Sequence, residues 1–284
     1  MKHSNRPHSR ISRKTILRVI RILLWLYLLC FVIAALHYGR RIFISETFVI
    51  PSSSMSPTLN PGDRVRVSKL LFGPRLYRSF EFGQGKPLRS IRLPGIREIR
   101  PGDVIVFNFP FGYGDWSKIE FRINNVYCKR VLGCPGDRIG IVGGHCWNDR
   151  ILRPVGLCAM QEKLRKTDRS ELDATFRLNA IPLAVPDRWD VIDLGPLRVP
   201  KAGMTVRLDG FTAELYRLAI EYETGSKLSV REDGTISIGS EQVTAYTFSG
   251  NWYFALGDNS IDSQDSRYFG FIPETFIVGI VPGV

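Results

Sequence analysis

Histidine is scarce in this chain. Four occur among 284 residues, and three of them, His3, His8 and His37, fall before residue 40. The fourth, His145, sits in a Gly-Gly-His-Cys turn with no cue that ties it to a serine. A hydrolase built on a histidine base, or on a Cys-His pair, is therefore nearly closed off, and if the chain is a hydrolase its base is expected to be a lysine or a carboxylate. No C-x-x-C occurs either, so the usual spacing of tetrahedral zinc ligands is missing; no metal and no cofactor are expected. Charge is the third absence. Residues 22–38, ILLWLYLLCFVIAALHY, contain no acidic side chain, lysine or arginine over 17 positions, the lower limit for a helix that spans a bilayer.

What flanks that run gives it a direction. Lys2, Arg6, Arg10, Arg13, Lys14, Arg18 and Arg21 precede it, and Arg40 and Arg41 follow. A cleavable secretory leader also joins a basic start to an apolar centre. Here, however, the run is longer than such leaders use, and His37, Tyr38, Arg40 and Arg41 stand where small residues would mark a cut. The expectation is a single-pass transmembrane helix over 22–38, with residues 1–21 as a basic cytoplasmic tail by the positive-inside rule. Everything from about residue 42 then lies on the outer face of the membrane. The 39 Lys and Arg against 27 Asp and Glu leave a net +12, which suits an anionic lipid surface. Because so much of it stands directly before the apolar run, the lipid bilayer is the expected partner and nucleic acid is not.

Of five cysteines, Cys30 lies in the apolar run. Cys128, Cys134, Cys146 and Cys158 would occupy a compartment where disulfides persist, and four cysteines allow three full pairings.

After the anchor the chain reads as mainly β. Alternating apolar runs recur behind Pro and Gly turn signals at 60–67 (NPGDRVRV), 100–107 (RPGDVIVF) and 200–208 (PKAGMTVRL). These predict turn-then-strand units of a barrel-like antiparallel sheet, built from 42–144 and 246–284. The stretch 145–245 differs, with Pro-rich connections and charge clusters, and reads as an inserted α+β subdomain. It holds one well-patterned helix: Phe211, Leu215, Leu218, Ala219 and Tyr222 recur at helical spacing, with Asp209 as its cap.

Two segments carry candidate chemistry. In 48–59, FVIPSSSMSPTL, a short apolar strand breaks at Pro51 into three serines, of which Ser54 precedes Met55. Alone this is an ordinary Ser-Pro loop. In 126–137, VYCKRVLGCPGD, Lys129 and Arg130 interrupt an apolar strand, and alternation sends them to opposite faces. One must face inward. A lysine taken from water into an apolar wall loses pKa and can accept a proton near neutrality, which is what a serine needs when no histidine is at hand. The bland alternative is a lysine whose stem lies on the sheet and whose amine reaches solvent.

Together, PSSSM, YCKRVLGCPGD and 257–273 (GDNSIDSQDSRYFGFIP), with 101–110 (PGDVIVFNFP), resemble the conserved boxes of the type I signal peptidases, in order, behind one membrane helix. The resemblance implies a Ser-Lys serine endopeptidase that removes signal peptides from exported preproteins through an acyl-enzyme, at the bacterial inner membrane with its catalytic domain on the periplasmic side. It implies Ser54 as nucleophile and Lys129 as general base, with Ser52 and the backbone N–H of Ser54 forming the oxyanion hole. Ser263 would orient the lysine, and Asp265 and Arg267 would support the site as an ion pair. Ile50, Met55, Leu59 and Cys128 would line pockets for small substrate side chains, so that Cys128 is a wall residue and a 146–158 disulfide is the favoured bridge. The sequence departs from the common pattern at Ser53, where glycine is frequent, at Ser260, where arginine is usual, and at Cys134, where an aliphatic residue is usual.

Two other readings fit the same residues: a Ser-Lys peptidase dedicated to one secretion or conjugation substrate, and a membrane-tethered β-barrel that binds peptides without cutting them. A self-cleaving repressor would need a DNA-binding head, and a membrane helix stands in its place. Phe107, Phe109, Phe111, Tyr113 and Trp116 read partly as core and partly as a loop that dips into the bilayer interface.

Overall fold

The computed structural model describes residues 12–79, 88–112, 114–174, 178–182, 185 and 188–284. Its first helix, α1 (Arg13–Phe43), runs 31 residues with no buried side chain. At about 1.5 Å rise per residue this is roughly 46 Å, more than the ~30 Å hydrocarbon core of a bilayer. The helix overruns the apolar stretch at both ends, because lysine and arginine are good helix formers and Ser12 caps the start by accepting from Lys14 N–H. Among the described residues it is the one helix long and apolar enough to cross a membrane. Its C-terminal end is bolted to the next domain: Lys69 N–H donates to Ile44 C=O at 2.9 Å, and Lys69 Nζ donates to Arg41 C=O at 2.7 Å and to Glu46 at 2.9 Å.

Beyond it, seven strands form one antiparallel sheet that curls as a half-barrel: β1 (Ser45–Val49), β2 (Arg64–Ser68), β3 (Val104–Asn108), β4 (Val126–Gly133), β5 (Trp252–Leu256), β6 (Ile272–Pro273) and β7 (Ile277–Val281). The spatial order is β1-β2-β7-β3-β4-β5-β6. Period-two alternation gives each face its own core. Val104 and Val106 join Ile50, Met55, Leu59, Val65 and Val67 on one face, while Ile105 and Phe107 join Val131 and Phe254 on the other.

The Pro-Gly turns enter the sheet as their sequence demands. In 60–63 and 100–103 the glycine takes a positive φ (93° and 96°), the N–H of residue four donates to the carbonyl of residue one, and the Asp carboxylate accepts back from the N–H of residue one. The third unit differs from expectation. Its strand, Thr205–Arg207, pairs with Ala245–Thr247 as a separate ribbon outside the main sheet.

Between β4 and β5 the chain builds a three-stranded sheet from Arg138–Val142, His145–Asn148 and Leu194–Arg198, together with α2 (Cys158–Lys166) and α3 (Gly210–Thr224). Asp209 caps α3 in a reciprocal box with Thr212, and Ala213, Tyr216, Ala219 and Ile220 are buried. Those side chains share one continuous core with Phe107, Phe254 and Ile272 of the main sheet.

One expectation is narrowed here and one is corrected. Phe107, Phe109 and Phe111 are buried, and Trp116 packs on Phe111 at 5.8 Å, because Phe269 and Tyr127 complete an aromatic cluster that draws the stretch inward. The three phenylalanines are core and Trp116 is half-buried against them; Tyr113 lies outside the described residues. The 146–158 bridge is not formed, all five cysteines being free thiols. Cys146 is buried, its N–H held by Gln161 Oε1 at 3.2 Å, whereas Cys158 opens α2 on the exposed side.

Candidate active site

The nucleophile segment is a single 3-10 turn, Ser53–Met55, hung on a buried anchor. Met55 is almost fully enclosed among Ile50, Leu59 and the β2 valines, so the turn's apolar member fixes where its polar neighbours point. Ile50 is in turn clasped to the 60–63 turn: Ile50 N–H donates to Asp63 C=O, and Gly62 N–H donates to Ile50 C=O. The turn presents Ser54 to β4. There Lys129, 3% exposed, places Nζ 2.5 Å from Ser54 Oγ in a hydrogen bond. Burial lowers the Lys129 pKa below its ordinary 10.5, an effect that the nearby Asp265 charge opposes without overcoming. The Tyr127 ring, on the same face of β4, lies 5.5 Å from the amine.

Around this pair the sequence-predicted residues fall as follows. Ser52 Oγ donates to Ser54 Oγ at 3.3 Å. Asp265 and Arg267 form a fully enclosed two-pronged ion pair (2.9 and 2.8 Å), with the side chains 0% and 2% exposed. Burial alone would raise the Asp265 pKa, but Arg267 outweighs it, and the carboxyl is held below its ordinary 3.8. Asp265 Oδ2 also accepts from Gly257 N–H at 3.0 Å.

Ser263 is buried close by, near enough to help keep Asp265 ionised, yet its hydroxyl makes no hydrogen bond of good geometry. The expected bond from Ser263 to Lys129 is thus not formed in this structure. Ile50, Met55 and Cys128 line a cleft of about 340 Å³ that also contains Ser52, Ser54 and Lys129. Leu59 does not reach the cleft wall; it backs Met55 from beneath, its N–H bonded to Met55 C=O.

Several residues of the site carried no separate signal. Arg130 does face away from Lys129, but it is not solvated: its guanidinium grips Asp258 with two 2.7 Å bonds and donates to Gly102 C=O. Asp258 also accepts from Thr58 Oγ1 at 2.6 Å. Asn259 holds the nucleophile turn twice, through its N–H to Ser54 C=O (3.1 Å) and its side chain to Ser53 C=O (3.2 Å).

Gly257 is where these parts meet. A Cβ there would lie 2.1 Å from Ser263 Oγ and 2.4 Å from Ser54 C=O. Gly257→Ala is therefore expected to push the nucleophile turn off the lysine and cut turnover about a hundredfold, since misplacement by about 1 Å costs that much. Steady-state kinetics beside a melting curve checks it: a loss of turnover with the fold retained is the expected outcome.

The model of the family described as signal peptidase, peptidase S26, matches residues 22–283. A signal peptidase I of Buchnera aphidicola is 28% identical over 247 residues, covering 85% of this chain and 69% of its own length. One from Pseudomonas aeruginosa is 28% identical over 249 residues, covering 84% of this chain and 64% of its own. The chain thus spans about two thirds of the length of these relatives. The crystal structure of a signal peptidase I from Enterococcus faecalis aligns with 66% of this chain and 98% of its own at 17% identity and a TM-score of 0.30. With its family model matched over nearly the whole length, the chain belongs to the signal peptidase family, peptidase S26, a family of serine endopeptidases.

Proposed function

We propose that this chain is a membrane-anchored endopeptidase that removes N-terminal signal peptides from exported preproteins through a Ser54–Lys129 dyad. The observation that carries the reading is the 2.5 Å contact between an enclosed lysine amine and the serine hydroxyl. With the amine neutral, the Ser54 hydroxyl donates to Nζ. As Oγ attacks the scissile carbonyl carbon, its proton passes to Nζ and the carbonyl oxygen becomes an oxyanion. The Ser52 hydroxyl and the Ser54 N–H are the donors assigned to that oxygen, each worth about 3 kcal/mol of barrier when well aimed. The ammonium then returns its proton to the leaving amine, and the ester on Ser54 remains. Water, activated by the again neutral Lys129, releases the signal peptide's new carboxylate and restores the serine.

Ser263 is assigned to orienting the amine; its buried hydroxyl beside Asp265 and the Ser54 turn supports that assignment. Asp265 and Arg267 are assigned to support.

The substrate is read as an extended strand. β5 pairs with β4 only as far as Arg130, whereas β3 pairs along the whole of 126–130. The cleft lies in the gap alongside 126–129, facing 50–55. An extended peptide there can bond to both walls and send alternate side chains toward Ile50, Met55 and Cys128, the seats assigned to small substrate side chains. α1 supplies the membrane anchor, and the placement of basic residues about it supports a cytoplasmic start with the catalytic domain on the outer face.

Incubation of the detergent-solubilised full chain with test preproteins, analysed by mass spectrometry of the products, decides the matter. A single cut behind small residues in several unrelated preproteins is the expected result. Cleavage of one substrate alone would replace the general role with a dedicated one, and binding without any cut would remove the protease reading.

A further inference from the structure

The four residues 262–265 alternate. Asp262 and Gln264 are exposed and line the cleft, whereas Ser263 and Asp265 turn inward behind it. Each of the two cleft-facing side chains reaches a different wall. Asp262 Oδ2 accepts from Ser53 Oγ at 3.0 Å, on the nucleophile turn. Gln264 Oε1 accepts from Tyr127 OH at 2.8 Å, on β4, two residues before Lys129. Ser53 is adjacent to Ser54.

The need for such ties follows from the sheet order. Between β1, which leads into the nucleophile turn, and β4, which carries Lys129, stand β2, β7 and β3. Among the described residues no ladder joins the two walls directly, so their separation depends on the curl of three intervening strands, on the apolar cluster that Val126 and Cys128 share with Ile50 and Met55, and on bonds made across the open side. A peptide wedged between the walls adds a load that tends to spread them. We propose that residues 262–264 form a strap across the cleft, with Asp262 and Gln264 as positioning residues that hold the Ser54 turn and the Lys129 strand at reacting distance while substrate lies between them. The inference rests on the dyad reading above and adds a role for Ser53, whose hydroxyl takes the place of the family's frequent glycine and supplies one end of the strap.

The strap is separable from the fold. Asn259 holds the backbone of Ser53 and Ser54 independently, and the Ser53–Asp262 bond is solvent-exposed. Two double-mutant cycles on the full-length enzyme test it: Ser53→Ala with Asp262→Leu, and Tyr127→Phe with Gln264→Leu.

Each single change is expected to lower kcat about tenfold, with KM within about twofold and an unchanged melting temperature, because positioning is lost at the transition state. Each double variant is expected to be no worse than its poorer single. Asp262→Asn keeps an oxygen to accept the Ser53 proton and is expected to stay within about threefold of the parent. Losses that multiply, a defect confined to KM, or Asp262→Asn as impaired as Asp262→Leu would each overturn the strap.

The same variants are also read by the rate at which Ser54 is acylated by p-nitrophenyl acetate, followed by intact mass. If the parent cleaves no preprotein but is acylated at Ser54 and shows the same cycles, the substrate reading fails and the strap stands. If the parent is not acylated and cleaves nothing, both fail.

Discussion

Lys129→Met is expected to lose signal-peptide cleavage by at least about a thousandfold, the scale for removing a general base from a positioned nucleophile, and at the same time to melt higher than the parent. The first effect follows from the 2.5 Å contact: without the amine, Ser54 has no acceptor for its proton. The second follows from burial. The enclosed site disfavours the ammonium, so the folded chain holds this proton less tightly than the unfolded chain does.

In the window between the depressed value and the ordinary 10.5, the unfolded state binds a proton that the fold does not. The parent's stability therefore rises with pH there, by up to about 1.4 kcal/mol per pH unit. The advantage of methionine, which matches the lysine stem without its charge, is greatest below that window, shrinks through it and ends above 10.5. Ser54→Ala serves as the control. It is expected to lose as much activity and to gain none of this pH-dependent stability. A Lys129→Met protein that melts lower than its parent at neutral pH would show that the amine is instead held as a stabilising cation.

Arg267→Met is expected to destabilise the fold by about 3–5 kcal/mol, the usual cost of leaving one member of a buried ion pair uncompensated. The stranded group is Asp265, 0% exposed, whose carboxylate also accepts from Gly257 N–H beside the nucleophile turn. Replacing both partners, as Asp265→Leu with Arg267→Met, is expected to recover most of that loss while activity stays low, because the apolar pair packs but no longer orders the 257–267 loop. Denaturant melts of the three proteins check this, and a double variant no more stable than Arg267→Met would refute the uncompensated-charge account.

The pair also predicts acid lability. Since the Asp265 pKa is lowered in the fold, its contribution is complete above the unfolded value of 3.8 and is lost as pH falls through the folded value.

What the sequence made legible, and what it hid, separates by physical range. The long apolar helix, the Pro-Gly-Asp turns and the capped α3 are readable because each is decided within a few residues: an uncharged run, a glycine at a positive-φ position, an Asp just before an apolar stripe. The Ser54–Lys129 contact is readable only through the joint order of short boxes, since nothing local to Ser54 names Lys129 as its partner. Contacts across long separations stayed hidden. Arg130 reads only as facing away from Lys129, yet it grips Asp258, 128 residues on. Ser53 reads as a departure from a glycine, and only the fold brings Asp262 to it, 209 residues away. That all three of Phe107, Phe109 and Phe111 are core is hidden for a related reason, because the ring that draws them inward, Phe269, lies far along the chain.

Direct titration of the Lys129 side chain by ¹⁵N-detected NMR, in the Ser54→Ala protein with Lys129→Met to assign the signal, bears most closely on the proposed chemistry. A midpoint clearly below the ordinary lysine value, matching the acid limb of the parent's kcat/KM profile, is the expected result. An amine that stays protonated to pH 10 or above while the parent cleaves preprotein at pH 8 would contradict it.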